Sequence, residues 1–181
     1  EHNALRIGAL KEMDGIWLNS RPHLEPMRDI VGPGPRLQFA TFGVDEEFFT
    51  PQPLPDAPCV LSIGTDGDRD WDTLLAAYEL VHEEVPEAAL LTQIDSHGQE
   101  NRTVPDYVTR LPRMAFDELR DVYGRASVVA AAMRHNLHVS GLTVSLEARA
   151  TGRPFVATRT VGMDDFLTDG LDCSLVEIGD A

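Results

Sequence analysis

The pattern of apolar and polar positions predicts short strands and amphipathic helices that alternate along the chain after Cys59. In the helix predicted over 70–84, Trp71, Leu74 and Tyr78 recur at the helical spacing and form one face. The other elements predicted in this part are strands at 60–64, 88–94, 107–111, 127–132 and 155–158, helices at 116–124 and 141–151, and a polar loop at 96–105. Strands and helices that alternate in this way build a parallel sheet with helices on both faces, so the predicted fold class is α/β.

The helix predicted over 141–151 begins in a loop and is a candidate ligand site. Ser140 is its predicted N-cap. Apolar residues recur every four positions and predict the buried face: Leu142, Leu146 and Ala150. The free N–H groups and partial positive charge of a helix N-terminus suit a phosphate, and Gly141 has no side chain to keep a ligand from its backbone.

The end of this helix is predicted at Gly152, which suits a left-handed cap, and Pro154 prevents continuation. The apolar run 155–157 then predicts a short strand that is covered on both faces. Ligands bind such parallel sheets at the carboxyl ends of the strands. The binding site is therefore predicted among residues 64–69, 132–141 and 158–165.

This segment resembles the donor-binding core of retaining glycosyltransferases with the GT-B fold, of the group 1 or family 4 type. The run LEARATGRPFVA at 146–157 carries most of the resemblance. Residues further along agree with the same pattern: Gly162, Asp165, Asp169, Gly170, Leu175 and Val176. Residues 42–51 resemble the interdomain linker of that family, residues 60–64 its first C-terminal strand, and residues 119–126, with Tyr123, one of its helices.

The resemblance implies a division of the chain near residue 45. Residues 46–181 are expected to form the Rossmann-like C-terminal domain that binds a nucleotide sugar. Residues 1–45 are expected to be the end of the N-terminal, acceptor-side domain and the linker, so that most of that domain is absent from this chain. Strands at 15–19 and 37–40 and a short helix at 22–31 are predicted there.

The resemblance also implies a set of donor-binding residues: Gly64, Arg69, His138, Ser140, Gly141, Leu142, Thr143 and Glu147. Glu147 corresponds to the glutamate that binds the donor ribose; the alternative is a solvated charge on a helix surface. Arg69 corresponds to the lysine that binds the donor phosphate. The alternative interpretation of Arg69 is an ion pair with Asp66 or Asp68 at the start of the helix.

Two positions depart from the family pattern. Thr65 replaces an arginine that contacts the diphosphate. Val139 lies eight residues before Glu147, where the family has its first glutamate; alignment on Gly141 places His138 there instead. His138 then either touches the donor or is an ordinary loop histidine, and the catalytic residues remain unknown.

Composition excludes several classes of partner. The net charge of −15 argues against nucleic acid and against docking on anionic lipid, and no apolar run is long enough to span a membrane. Cys59 and Cys173 are interpreted as reduced thiols, with a disulfide as the alternative. The acidic run at 67–70 is interpreted as a turn with Asp70 as N-cap and not as a metal site. The resemblance likewise implies that no metal is bound, and no cofactor is expected besides the nucleotide sugar, which is a substrate.

By this resemblance, the protein is expected to be a cytoplasmic glycosyltransferase of the hexosyltransferase type. It would move a sugar from a UDP- or GDP-sugar, its substrate, to a hydroxyl of an unidentified glycan, lipid or small molecule, with retention at the anomeric carbon. The chain alone is expected to bind donor weakly and to catalyse little. Two alternatives stay open: a nucleotide-sugar epimerase-like GT-B relative and a non-catalytic GT-B-like binding domain.

Overall fold

Two parallel sheets organise the chain, one with two strands near its start and one with six strands after Cys59. The structure is a computed structural model that describes residues 2–93 and 102–181. Ile94 and residues 96–101, the end of one predicted strand and most of a predicted loop, lie outside the described residues.

The first sheet pairs two short strands from the start of the chain. Its elements are helix α1 (His2–Lys11), strand β1 (Gly15–Leu18), a 3-10 helix (Arg21–His23), helix α2 (Leu24–Val31) and strand β2 (Arg36–Phe39). β1 and β2 are parallel, and the strands and short helix predicted here are confirmed. Helix α1 was not predicted, because its apolar residues form no buried stripe; Leu5, for example, is 74% exposed.

The second sheet has the strand order β5-β4-β3-β6-β7-β8, and every neighbouring pair is parallel. Its elements are β3 (Cys59–Ser62), α3 (Trp71–Glu84), β4 (Ala89–Thr92), β5 (Val108–Arg110), α4 (Phe116–Arg125), β6 (Val128–Ala131), α5 (Leu142–Ala150), β7 (Phe155–Thr158), a 3-10 helix (Met163–Asp165) and β8 (Ser174–Val176). The predicted α/β, Rossmann-like parallel sheet is confirmed. Only β8 was missed in this part, since three residues carry too little pattern to predict a strand.

The two faces of this sheet carry separate apolar cores. On one face, α3 packs Trp71 and Tyr78 against Leu90 of β4. On the other, α4 and α5 pack Tyr123 and Ala148 with the strand residues of the larger core. Helices on both faces explain why the inner strands, such as β6, are mainly apolar and do not alternate between apolar and polar residues.

Helix α5 differs from its prediction in two respects. Gly141, with φ of 85°, is the N-cap, and no side chain caps the helix. Ser140 is buried, and its hydroxyl donates to Sδ of Met133 at 3.3 Å. The deeply buried side chains include Val144, Ser145, Glu147 and Ala148, whereas Leu146 and Ala150 are only partly buried. Steps of four residues advance about 40° around a helix, so a four-residue repeat drifts away from the core.

Other local predictions are confirmed. Gly152 has the left-handed φ of 74° that was expected after α5. The carboxylate of Asp70 caps α3 by accepting from the N–H of Thr73 at 3.3 Å. Cys59 and Cys173 are both free thiols, so the disulfide alternative is wrong. No helix among residues 2–93 and 102–181 combines the length and apolar character needed to cross a membrane.

A buried arginine attaches the segment before β3 to the larger sheet. The guanidinium of Arg153, 2% exposed, donates to the carbonyls of Thr151 and Ala126 at 3.2 and 3.0 Å. It also donates to the carbonyls of Gln52 and Pro53. Backbone acceptors thus satisfy this buried charge, and the cost of its burial is offset by several charged hydrogen bonds.

Replacement of this guanidinium should destabilise the fold. Arg153→Met leaves buried carbonyls without donors and is expected to lower the free energy of unfolding by about 2–4 kcal/mol in urea titrations. Arg159→Met is the control, because Arg159 forms only surface ion pairs, with Asp164 and Asp169, and its loss should cost less than about 1 kcal/mol. Equal effects of the two substitutions would contradict an anchoring role for Arg153.

Candidate functional site

A cleft of about 550 Å³ opens at the carboxyl ends of β3 and β6. These neighbouring strands mark the point at which the strand order reverses, since β4 and β5 follow β3 on one side and β7 and β8 follow β6 on the other. The loops after β3 and β6 diverge there and leave a crevice. The structure brings all the predicted donor-binding residues to its lining: Gly64, Arg69, His138, Ser140, Gly141, Leu142, Thr143 and Glu147.

The third predicted loop, at 158–165, does not line this cleft. It lies against the early part of the chain instead, where the N–H of Arg21 donates to the carboxylate of Asp165 at 2.6 Å. The topology explains the difference, because β7 is one strand removed from the reversal point.

The backbone around Arg69 is held by the extension of β6. Arg69 forms an isolated antiparallel bridge with Met133. On either side, the N–H of Asp70 donates to the carbonyl of Ala132 at 2.9 Å, and the N–H of Arg134 donates to the carbonyl of Asp68 at 2.8 Å. Arg69 is therefore fixed between the two loops that form the cleft.

The Arg69 side chain is a buried cation without a complete set of partners. It is 3% exposed, and its Nε and Nη1 atoms make no hydrogen bond among the described residues. Burial lowers the pKa of Arg69 to about 10, so the group stays charged at neutral pH. In the part of the chain that the structure describes, the Arg69 guanidinium forms no ion pair with Asp66 or Asp68, so that alternative is wrong. The bond between Arg69 and Asp66 runs from the backbone N–H of Arg69 to the backbone carbonyl of Asp66.

Gly64 makes room for this guanidinium. Its φ of 131° lies in a region that side chains disfavour. A Cβ placed on Gly64 would overlap the Arg69 guanidinium. The glycine at the end of β3 is thus required by both backbone conformation and close packing.

The start of α5 presents unsatisfied N–H groups to the cleft. The Ser140 N–H donates to the side-chain oxygen of Asn136 at 3.1 Å, and the Leu142 N–H donates to the carbonyl of Val139 at 3.2 Å. The N–H groups of Gly141, Thr143 and Val144 have no acceptor among the described residues. These three donors, all in the cleft lining, are the ones available to an anion.

Gly141 is needed for a different reason from the one predicted. A Cβ on Gly141 would point away from the ligand space and overlap the methyl group of Met133. The left-handed φ of 85° adds a conformational cost for any side chain. Val139, two residues earlier, also has a positive φ, of 55°, and its side chain is buried.

Glu147 is buried and paired with an aromatic hydroxyl. The Tyr123 O–H donates to Oε2 of Glu147 at 2.7 Å. Glu147 is 6% exposed, so the alternative of a solvated surface charge is wrong. Burial raises the pKa of Glu147 above its usual value, and the hydrogen bond from Tyr123 opposes part of that rise.

His138 stands over two aspartates at the cleft mouth. Its Nε2 lies 3.0 Å from the Asp66 carboxylate, and its Nδ1 lies 3.5 Å from that of Asp68. Partial burial alone would raise the pKa of Asp66, but hydrogen bonds from the Asp68 N–H and from His138 outweigh it, and the pKa is lowered. The ligand atoms of the three residues lie within 4.8 Å of one another, a spacing that a cation also accepts. The expectation of no metal stays a prediction.

Several lining residues escaped prediction: Asn19, Phe42, Gln93, Arg113, Met114, Phe116, Leu119 and Val144. They come from loops and helices that are mostly far apart in sequence, and nothing in their local pattern marks them. Thr65 and Asp66 also line the cleft, within the loop 64–69 that was predicted to contribute to the site. Arg134, His135 and Asn136, by contrast, lie near the site in sequence but outside its lining. Asn136 shapes the loop, since its side chain accepts from the N–H groups of His138 and Ser140.

Comparison with known proteins identifies a family. A family model described as "Glycosyl transferases group 1" matches residues 57–181, which is well over half of the chain. No curated protein sequence matches this chain.

Solved structures share the fold. HepE from Anabaena, in complex with UDP-glucose, has a TM-score of 0.80 and 14% identity over 98% of this chain and 54% of its own. Sucrose-phosphate synthase from Thermosynechococcus elongatus has a TM-score of 0.77 and 22% identity over 98% of this chain and 48% of its own. The C-terminal domain of the group 1 protein LpcC from Francisella tularensis has a TM-score of 0.61 and 15% identity over 76% of this chain and 82% of its own. The chain thus spans about half the length of HepE and of the synthase.

The cost of placing a side chain at position 141 can be measured as a loss of stability. Gly141→Ala is expected to lower the free energy of unfolding by about 1–3 kcal/mol, because the new methyl group meets Met133 and φ is positive. Gly67→Ala is the control: it lies in the loop after β3 with open space around it, and the change should stay within about 0.5 kcal/mol. Comparable losses in chemical denaturation would contradict the assigned role of Gly141.

Proposed function

Because the chain belongs to the group 1 glycosyltransferases, we propose that its cleft binds a nucleotide-diphosphate sugar and that the chain supplies the donor-binding part of a glycosyltransferase. The reaction is transfer of the sugar to an acceptor hydroxyl with retention, of the hexosyltransferase type. The observation that carries the proposal is the buried, incompletely paired guanidinium of Arg69 at the strand-order reversal.

An anion completes the bonding that Arg69 lacks. A buried charge without hydrogen-bond partners is costly, and natural proteins tolerate one mainly where a ligand supplies the partner. A diphosphate suits the site because its oxygens can accept from the Arg69 guanidinium and from the N–H groups of Gly141, Thr143 and Val144. HepE, which shares the fold, was solved with UDP-glucose, and this supports a UDP-sugar; a GDP-sugar stays an alternative donor.

Glu147 suits the ribose of such a donor. Tyr123 occupies its Oε2 atom, and Oε1 has no donor among the described residues. A buried carboxylate in the cleft lining binds vicinal hydroxyls well, because charged hydrogen bonds are stronger than neutral ones.

Because the chain departs from the family pattern at Val139, we assign His138 a role at the sugar end of the donor. Val139 is 2% exposed and packs inward, so its side chain is withdrawn from a ligand. His138 lines the cleft beside Asp66 and is the side chain at that point able to contact the donor. Thr65 supplies no charge, so the arginines available to the diphosphate in the cleft lining are the buried Arg69 and the exposed Arg113.

The remaining expectations stay predictions: a domain division at residue 45, a cytoplasmic location, no required metal or cofactor, and an acceptor of unidentified class. Isomerisation of a UDP-sugar without acceptor would instead indicate an epimerase-like relative. Absence of binding to both UDP and GDP in calorimetry would favour a non-catalytic domain.

Arg69→Met tests the diphosphate site. The substitution is expected to weaken binding of UDP, or of GDP if that is the ligand, by about 10–100-fold, and binding of the matching nucleoside by less than about threefold. The free energy of unfolding of the ligand-free protein should not fall, because an unpaired buried charge is removed. Arg134→Met, outside the cleft lining, is the control. Equal losses for nucleotide and nucleoside would show that Arg69 supports the loop instead.

The pH dependence of binding tests Glu147. Only the ionised carboxylate accepts from both ribose hydroxyls, and burial raises its pKa. The ratio of nucleotide affinities of the wild type and Glu147→Gln should therefore fall toward one as the pH falls. The pH at which half of this fall is complete should lie above about 4.3, which is the pKa of an exposed glutamate. Because the phosphate of the ligand titrates in the same way in both measurements, its effect cancels in the ratio of the two affinities. A ratio that stays constant down to pH 4 would contradict ribose binding by Glu147.

A further inference from the structure

Tyr123 lies outside the cleft lining and contacts the cleft only through its hydrogen bond to Glu147. It lies on α4, is fully buried, and directs its hydroxyl to Oε2 of Glu147 at 2.7 Å. Burial first, and then the Glu147 carboxylate, raise the pKa of Tyr123 well above its usual value. The hydroxyl therefore keeps its proton and serves as a donor to the carboxylate at every pH of interest.

The ring that carries this hydroxyl is held in place by the segment before β3. Phe49, 5% exposed, packs edge-to-face on Tyr123, with ring centroids 6.0 Å apart and an interplanar angle of 87°. Burial and this ring contact restrict Tyr123, and its hydrogen bond in turn restricts Glu147, which has three side-chain torsions of its own. Fixing a carboxylate before a ligand arrives removes an entropic cost from binding.

We propose that Tyr123 is a positioning residue: its hydroxyl holds one oxygen of Glu147 so that the other faces the cleft and accepts hydrogen bonds from the vicinal hydroxyls of a ligand. This inference rests on the proposed function, in which that ligand is the ribose of a nucleoside diphosphate. Tyr123 does not touch the ligand, and it acts only through Glu147. The other charged or titratable groups in the cleft lining are Arg69 and Asp66 in the loop after β3, His138 in the loop after β6 and Arg113 in the segment before α4.

The test compares UDP with 2′-deoxy-UDP, and GDP with its deoxy form, by calorimetry on the wild type and Tyr123→Phe. The wild type is expected to prefer the ribonucleotide by about tenfold or more, the range for a hydrogen bond to a charged group. Tyr123→Phe should reduce this preference to about threefold or less and leave the affinity for the deoxynucleotide nearly unchanged. Glu147→Gln should have the same effect, and the double variant should lose no further preference, because the two residues act as a unit.

The same binding measurements over a range of pH distinguish positioning of Glu147 by Tyr123 from a purely structural role of Tyr123. Loss of the Tyr123 hydrogen bond removes an interaction that lowers the pKa of Glu147. In Tyr123→Phe, the pH at which any remaining ribose preference disappears should therefore be higher than in the wild type.

Tyr78→Phe is the matched control. Tyr78 is as buried as Tyr123, and its hydroxyl donates to the carbonyl of Leu91 at 2.9 Å, on the other face of the sheet. Its loss should lower stability and leave the ribose preference intact. Two outcomes would overturn the inference alone, provided that the wild type binds UDP or GDP. In the first, Tyr123→Phe keeps the wild-type preference for the ribonucleotide; in the second, it loses affinity equally for the ribonucleotide and the deoxynucleotide. No wild-type binding of UDP or GDP would overturn the proposed function and the inference with it.

Discussion

The reversal of strand order between β3 and β6 is the constraint on which the rest of the site depends. All the strands of the large sheet are parallel, so their carboxyl ends share one edge. At the reversal point, the loops leave in opposite directions and open the cleft. The loop after β3 presents Arg69, the loop after β6 leads to the N–H groups of α5, and both reach the same space because their parent strands are hydrogen-bonded neighbours.

Two buried arginines, Arg153 and Arg69, differ in how completely their guanidinium groups are hydrogen-bonded. Arg153 is surrounded by backbone carbonyls and holds the segment before β3 against the sheet. Arg69 is equally buried, yet two of its nitrogens have no partner among the described residues. The first arrangement stabilises the protein by itself. The second leaves a buried charge incompletely paired, which is costly and is the reason why an anionic ligand is proposed for it.

The electrostatics of the cleft are mixed rather than uniformly positive. Arg69 and the start of α5 favour an anion, whereas Asp66 lies at the mouth and Glu147 at the back. His138 lies against Asp66 at the mouth, with its Nε2 atom 3.0 Å from the carboxylate. This distribution is compatible with the proposed ligand, which has a diphosphate in the middle and hydroxyl groups at both ends, although the chain as a whole has a net charge of −15.

The sequence by itself determined the sheet, its helices and the location of the site, because these follow from local periodicity and from the loops at strand ends. Trp71, Leu74 and Tyr78 mark the buried face of α3, and the run at 146–157 identifies the helix and strand beside the cleft. Only the tertiary structure decided what each polar residue does. Tyr123 meets Glu147 across 24 positions and His138 meets Asp66 across 72 positions, contacts that depend on how separate elements pack. The role of Gly141 was likewise hidden, since the Met133 methyl group that excludes a side chain there reaches it only through the folded loop.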